Sequence, residues 1–141
     1  MKITFVDAGV LIAAARGKDE QGRRAMAILD DPDRVFASSG FVRLEVLPKA
    51  RYQRENLEAE LYETFFESVR YWATVNEKLI ANAFTEAVTD GLSAMDALHV
   101  AAAVDVGASE LVTAEGPRKP IHRVTSVLIK TIHAKADGSS T

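Results

Sequence analysis

The sequence predicts an α/β domain built on a parallel or mostly parallel sheet that is covered by helices on both faces. Three observations carry this. Short β-branched and aromatic runs alternate with longer segments of helical periodicity. The strand-like runs are apolar almost throughout, as expected of strands buried on both sides. The length of 141 residues, with 48% hydrophobic and 26% charged residues, suits one ordinary globular domain with a sizeable core.

The elements follow in order. Ile3 to Val6 reads as a buried strand, and Asp7-Ala8-Gly9 opens a helix over Val10 to Arg16 that Gly17 is placed to end. Asp19 or its neighbours start a second helix, with Ala25, Ile28 and Leu29 on one side, and Asp31-Pro32-Asp33 stops it. Val35 to Ser38 is the second strand. Gly40 to Tyr52 reads as a helix that Pro48 should kink or shorten. Asn56 to Val69 is an amphipathic helix with Leu57, Leu61, Phe65 and Val69 four apart. A short strand over Trp72 to Val75 precedes a helix from Glu77 to Val88, with Ile80, Phe84 and Val88 in line and Asp90-Gly91 closing it. Ser93 caps a helix that runs to Val106 and stops at Gly107. Glu110 to Thr113 and Val124 to Ile129 are the last strands. The domain is expected to span residues 1–135, with a frayed polar tail over 136–141.

Composition removes several classes of function. With no cysteine there is no disulfide scaffold, thiolate zinc site or thiol nucleophile. This fits a reducing, cytoplasmic setting. The start of the chain meets Asp7 too soon for a signal peptide, and no apolar run approaches the roughly 20 residues needed to span a bilayer. Neither a Walker loop nor a dinucleotide fingerprint occurs. No histidine–acid arrangement points to a nucleophilic serine at Ser38 or Ser39. The net charge of −3 means that any contact with nucleic acid must rest on a local basic patch.

Ligands of parallel sheets sit at the carboxyl ends of the strands, so acids placed there draw the chemistry. Asp7 follows the first strand, and reads either as a ligand-binding acid or as the N-cap of the next helix. Glu45 lies among Phe41, Val42, Leu44, Val46 and Leu47, which should bury part of its carboxylate unless it turns to solvent. Asp96 completes a Ser93-Ala94-Met95-Asp96 capping box, although the box favours the longer Glu or Gln. Glu115 follows the Glu110 to Thr113 strand, and is otherwise a loop acid in water. His99, three residues after Asp96 on the same helical face, reads as a buried or supporting histidine, since no other histidine stands at zinc-ligand spacing. Converging carboxylates repel unless a cation lies among them. An oxygen-only set suits Mg²⁺ or Mn²⁺ and, with it, phosphodiester hydrolysis.

Four segments resemble PIN domains: Val6-Asp7-Ala8-Gly9-Val10-Leu11-Ile12, Phe41 to Ala50, Leu92 to Ala103, and Leu111-Val112-Thr113-Ala114-Glu115. The resemblance covers essentially the whole chain and implies a PIN-like three-layer domain. It further implies a Mg²⁺- or Mn²⁺-dependent ribonuclease, with Asp7, Glu45 and Asp96 as metal-binding catalytic acids. Glu115 stands as the fourth acid and Thr113 as an auxiliary residue. The family usually has Asp where this chain has Glu115, so that residue would bind metal through water or position its loop. Many small bacterial and archaeal members are VapC-type toxins that pair with an antitoxin and form homodimers, and the resemblance extends both expectations here. Arg118 and Lys119, with Arg123, Arg43, Lys49, Arg51 and Arg54, are candidate RNA contacts. The alternative is a catalytically weak PIN-like module that binds RNA or serves as a scaffold. A phosphatase using Asp7 as nucleophile is disfavoured, because residue 9 is Gly9 where a second Asp would be wanted.

Overall fold

The computed structural model describes residues Met1–His133; the expected tail over 136–141 lies outside the described residues. Five strands form one parallel sheet: β1 (Lys2–Val6), β2 (Arg34–Ser38), β3 (Tyr71–Trp72), β4 (Glu110–Thr113) and β5 (Leu128–Thr131), in the spatial order β3-β2-β1-β4-β5. The helices are α1 (Ala8–Arg16), α2 (Glu20–Leu29), α3 (Gly40–Tyr52), α4 (Asn56–Ser68), α5 (Glu77–Asp90) and α6 (Ala94–Asp105). A 3-10 turn, Pro120–Arg123, joins β4 to β5.

The strand order fixes the layers. From β1 the chain moves outward through β2 to β3, then returns past β1 to β4. Parallel crossovers are right-handed, so α1 to α4 cover one face, while α5 and α6 cover the other. The direction of winding reverses between β1 and β4, and the crevice outside their carboxyl ends is the switch point where such sheets bind ligands.

Central strand residues Phe5, Val6, Leu111 and Val112 are fully buried, as a sheet covered on both sides requires. The amino edge of the sheet carries a separate polar network. Buried Glu110 accepts from Thr4 Oγ1 (2.6 Å) and Arg34 Nε (2.9 Å), and Arg34 also reaches Asp31. Burial works to raise the Glu110 pKa, but the Arg34 and Thr4 bonds outweigh it and leave the carboxyl below its ordinary value.

Three expectations need correction. The strand expected over Val124 to Ile129 is instead Leu128–Thr131. Val124 and Val127 are buried, yet they plug the core from an irregular segment bent at Ser126-Val127. The strand expected over Trp72 to Val75 is Tyr71–Trp72; the Thr74 N–H leaves the sheet and donates to Asp105 Oδ2. Pro48 does not shorten its helix, which runs on to Tyr52.

Candidate active site

Asp7 takes the first position past β1 and is buried. The N-cap reading holds, because Oδ1 accepts the Val10 N–H at 3.1 Å and so caps α1. Burial pushes the carboxyl up to about 6; hydrogen bonds from Thr113 and the Val10 backbone and the neighbouring His99 imidazole pull it down, and Asp96 adds a like charge that raises it. Thus Asp7, Thr113, His99 and Asp96 share one electrostatic neighbourhood. Gly9 keeps this corner closed, since a Cβ there would stand 2.9 Å from the Ala114 Cβ.

Asp96 lies in the first turn of α6 and is half-buried. Only half of the capping box forms. Ser93 Oγ accepts the Asp96 N–H (3.3 Å), whereas the Asp96 carboxylate makes no hydrogen bond among the described residues. The short acid is therefore not used as a cap, and its oxygens remain available.

Glu45 is partly buried, as expected, but not among its apolar neighbours on α3. Its side chain is 35% exposed, and it turns instead to α6, where Oε1 lies 2.5 Å from His99 Nε2. The sequence placed Glu45 and His99 54 residues apart, with nothing local to pair them. Beside Glu45 opens a small cleft of about 130 Å³ lined by Ile12, Arg16, Val46, Lys49, Glu58 and Tyr62. Arg16 is held there by a forked pair to Glu58 (2.6 and 3.0 Å). Arg16 is a cation near the site that sequence reading passed over, as its position at the end of α1 gave no sign of it.

Glu115 stands just past β4 and is half-buried. Its backbone is pinned on both sides: Thr113 Oγ1 accepts its N–H (3.1 Å), and its carbonyl accepts from Thr131 Oγ1 (2.7 Å) and meets His122 Nε2 (3.1 Å). Its carboxylate has no hydrogen-bond or ionic partner among the described residues. Arg118 and Lys119 are exposed on the loop that follows. By contrast, Arg43 and Arg51 face Glu63 (3.9 and 2.7 Å), and Arg123 donates to the Asp90 carbonyl.

The structure thus groups Asp7, Asp96 and Thr113, and links Glu45 to them through His99. Among the described residues, no three acids or histidines already stand at chelating separation. The donor set nonetheless suits a hard divalent cation. It is all carboxylate oxygen, and it includes a buried acid whose ionisation burial and a like charge oppose.

A parallel α/β domain with carboxylates at its switch point is a class shared by several kinds of hydrolase. The particular family is defined by sequence: residues 4–116 match the PIN domain model, and the chain belongs to the PIN domain family. No curated protein sequence matches it. Among solved structures it is similar to VapBC2 from Rickettsia felis bound to a promoter DNA fragment. The TM-score is 0.68 at 15% identity, covering 92% of this chain and 98% of the other. It is also similar to DNA-bound VapBC from Salmonella typhimurium, with TM-score 0.65, 16% identity and coverage of 94% and 99%. A third is VapC20 from Mycobacterium tuberculosis, a sarcin-ricin loop cleaving toxin, with TM-score 0.59, 18% identity and coverage of 77% and 86%. At these identities the likeness is one of fold.

Proposed function

We propose that this chain is a Mg²⁺- or Mn²⁺-dependent ribonuclease, the toxin of a toxin–antitoxin pair. The observation that carries the reading is the placement of buried Asp7 beside Asp96 and Thr113 at the switch point between β1 and β4. Membership of the PIN family and similarity to a toxin that cleaves the sarcin-ricin loop support RNA as the substrate.

Asp7 and Asp96 would hold the ion, with Glu45 contributing directly or through water. A divalent cation bound there supplies an activated water and offsets charge on the phosphodiester. Thr113 steadies the Asp7 carboxylate, and the cap to Val10 fixes its rotamer. Glu115, on its pinned loop, adds a further acid at the rim. Arg118 and Lys119 would meet the RNA backbone without specifying sequence.

The solved VapBC complexes support an antitoxin partner. The groove between α2 and α4, about 510 Å³ and lined by Met26, Leu29, Leu57, Leu61 and Phe65, gives an apolar segment of that partner a place to seat. Among the described residues, no helix is long and apolar enough to cross a membrane.

The test is cleavage of labelled RNA during a manganese titration. Asp96→Asn should keep the fold and lose metal-dependent cleavage; full activity in that variant would remove Asp96 from the mechanism. The double variant Arg118→Ala, Lys119→Ala should bind RNA more weakly across sequences, with a shallower salt dependence and unchanged metal affinity. An unchanged salt slope would move the RNA contact elsewhere. The competing reading, a non-catalytic RNA-binding or scaffold module, would show binding with no cleavage at any manganese concentration.

A further inference from the structure

His99 is among the most buried polar side chains of the protein, 3% exposed, yet it reaches Glu45, an acid whose side chain is 35% exposed. It projects from α6 one turn after Asp96 and packs near the Phe5 ring, with centroids 6.2 Å apart. Nε2 meets Glu45 Oε1 at 2.5 Å, while Nδ1 is buried without a partner among the described residues. A proton on Nδ1 would leave a buried donor unsatisfied, at a cost of about 1–3 kcal/mol. The Nε2–H tautomer leaves Nδ1 as an unpaired acceptor instead, but it is the neutral form that gives the Glu45 carboxylate a donor at this distance.

We infer that His99 is a positioning residue: it donates Nε2–H to Glu45 Oε1, ties α6 to α3, and fixes Glu45 so that its second oxygen serves the metal site of Asp7 and Asp96. This rests on the metal-dependent reading above and adds to it the group that orients Glu45. The geometry explains how a long, half-exposed side chain can take part in a defined site. A glutamate at a helix surface otherwise loses considerable rotamer freedom on being ordered. Here a rigid, fully packed ring, held by core contacts on α6, supplies the order. Nothing else among the described residues bonds the Glu45 carboxylate, so its orientation depends on this one contact.

The experiment is Mn²⁺ binding by calorimetry on the full chain at fixed pH, with thermal melting to verify the fold. Groups that orient metal ligands typically account for about 10–100-fold in affinity. His99→Leu, similar in bulk but without a donor, should weaken Mn²⁺ binding at least about 10-fold. His99→Gln, whose amide N–H can reach the Nε2 position, should restore most of it. In a Glu45→Gln background His99→Leu should cost nothing further, because the effect passes through Glu45. A merely structural histidine would weaken binding in both backgrounds, and that result would overturn the inference. So would wild-type affinity in folded His99→Leu. Absence of Mn²⁺ binding by the wild-type chain would overturn the metal-dependent reading itself, and the role of His99 with it. Should His99→Leu fail to fold, long-range ¹⁵N NMR of the wild-type imidazole decides: an Nε2–H tautomer is expected, and an Nδ1–H tautomer would rule out donation to Glu45.

Discussion

At the scale of single residues, Asp7 serves two purposes that pull on stability in opposite directions. As a cap it holds the first turn of α1, a contribution of about 1 kcal/mol for such residues. As a buried carboxyl raised to about 6 it opposes folding once ionised. Below its ordinary value of 3.8 both folded and unfolded chains carry the proton, and there is no penalty. Between 3.8 and about 6 the folded chain binds more protons than the unfolded one, so stability falls as pH rises. Above that window the penalty is fully present, on the order of 3 kcal/mol. Asp7→Asn keeps the capping oxygen and removes the charge. With chelator present, the variant should therefore be more stable than wild type at pH 7.5, by about 2 kcal/mol, and the gain should vanish near pH 4. Denaturant midpoints at the two pH values measure this, and a variant less stable at both would show that Asp7 is not strained by ionisation. The positions of Asp7 and Asp96 in the fold were legible because each sits beside a local landmark, the end of a strand and the start of a helix. The Glu45–His99 pair was not, since α3 and α6 meet only through the tertiary fold.

At the scale of elements, periodicity and end signals located the six α-helices among the described residues, while the direction each face points depended on the neighbours. Leu57, Leu61, Phe65 and Val69 do repeat along α4, but the line runs from solvent into the core: Leu57 is 85% exposed and Phe65 is buried. The final strand was misplaced because Val124 and Val127 have strand-like residue types and serve as core plugs in irregular backbone. Gly17 ends α1 as expected, though not as a left-handed cap; its φ is −75°. Its small size matters because α2 approaches closely. A Cβ on Gly22 would lie 2.2 Å from the Gly17 carbonyl oxygen, and the obstacle is backbone that cannot turn aside. Gly22→Ala should accordingly destabilise the protein by about 1–3 kcal/mol, the usual range for overpacking. Gly40, in the first turn of α3, has open space where its Cβ would be. Gly40→Ala should be neutral or stabilising by up to about 1 kcal/mol through helix propensity. Thermal melts of the pair check the contrast, and similar melting of both variants would show that α1 and α2 can separate at little cost.

At the scale of the whole molecule, the apolar line on α5 raises the question of what covers it. Ile80, Phe84 and Val88 are in register as the sequence indicated, yet Leu79 and Ala83 are the residues of α5 that enter the core. Phe84 and Val88 are left 71% and 70% exposed. Exposed Ala81 and Thr85 fill the same side, so the central part of this face carries no charge. A contiguous apolar face of this kind is unusual on a monomer. Its layout suits a second copy of the chain. If two α5 helices pack antiparallel about a two-fold axis at Phe84, Ile80 of one meets Val88 of the other. Such an isologous contact is self-complementary in shape. The chain is therefore expected to be a homodimer in solution. Phe84→Glu would place two carboxylates against each other at the axis and should yield a folded monomer. Light scattering coupled to size exclusion reads this directly, while far-ultraviolet dichroism verifies the fold. A wild-type monomer at high concentration would refute the dimer, and a Phe84→Glu dimer would place its interface on another face. Because Phe84 lies on the helical layer opposite α1 to α4, the monomeric variant should still bind manganese at Asp7 and Asp96, which separates assembly from chemistry.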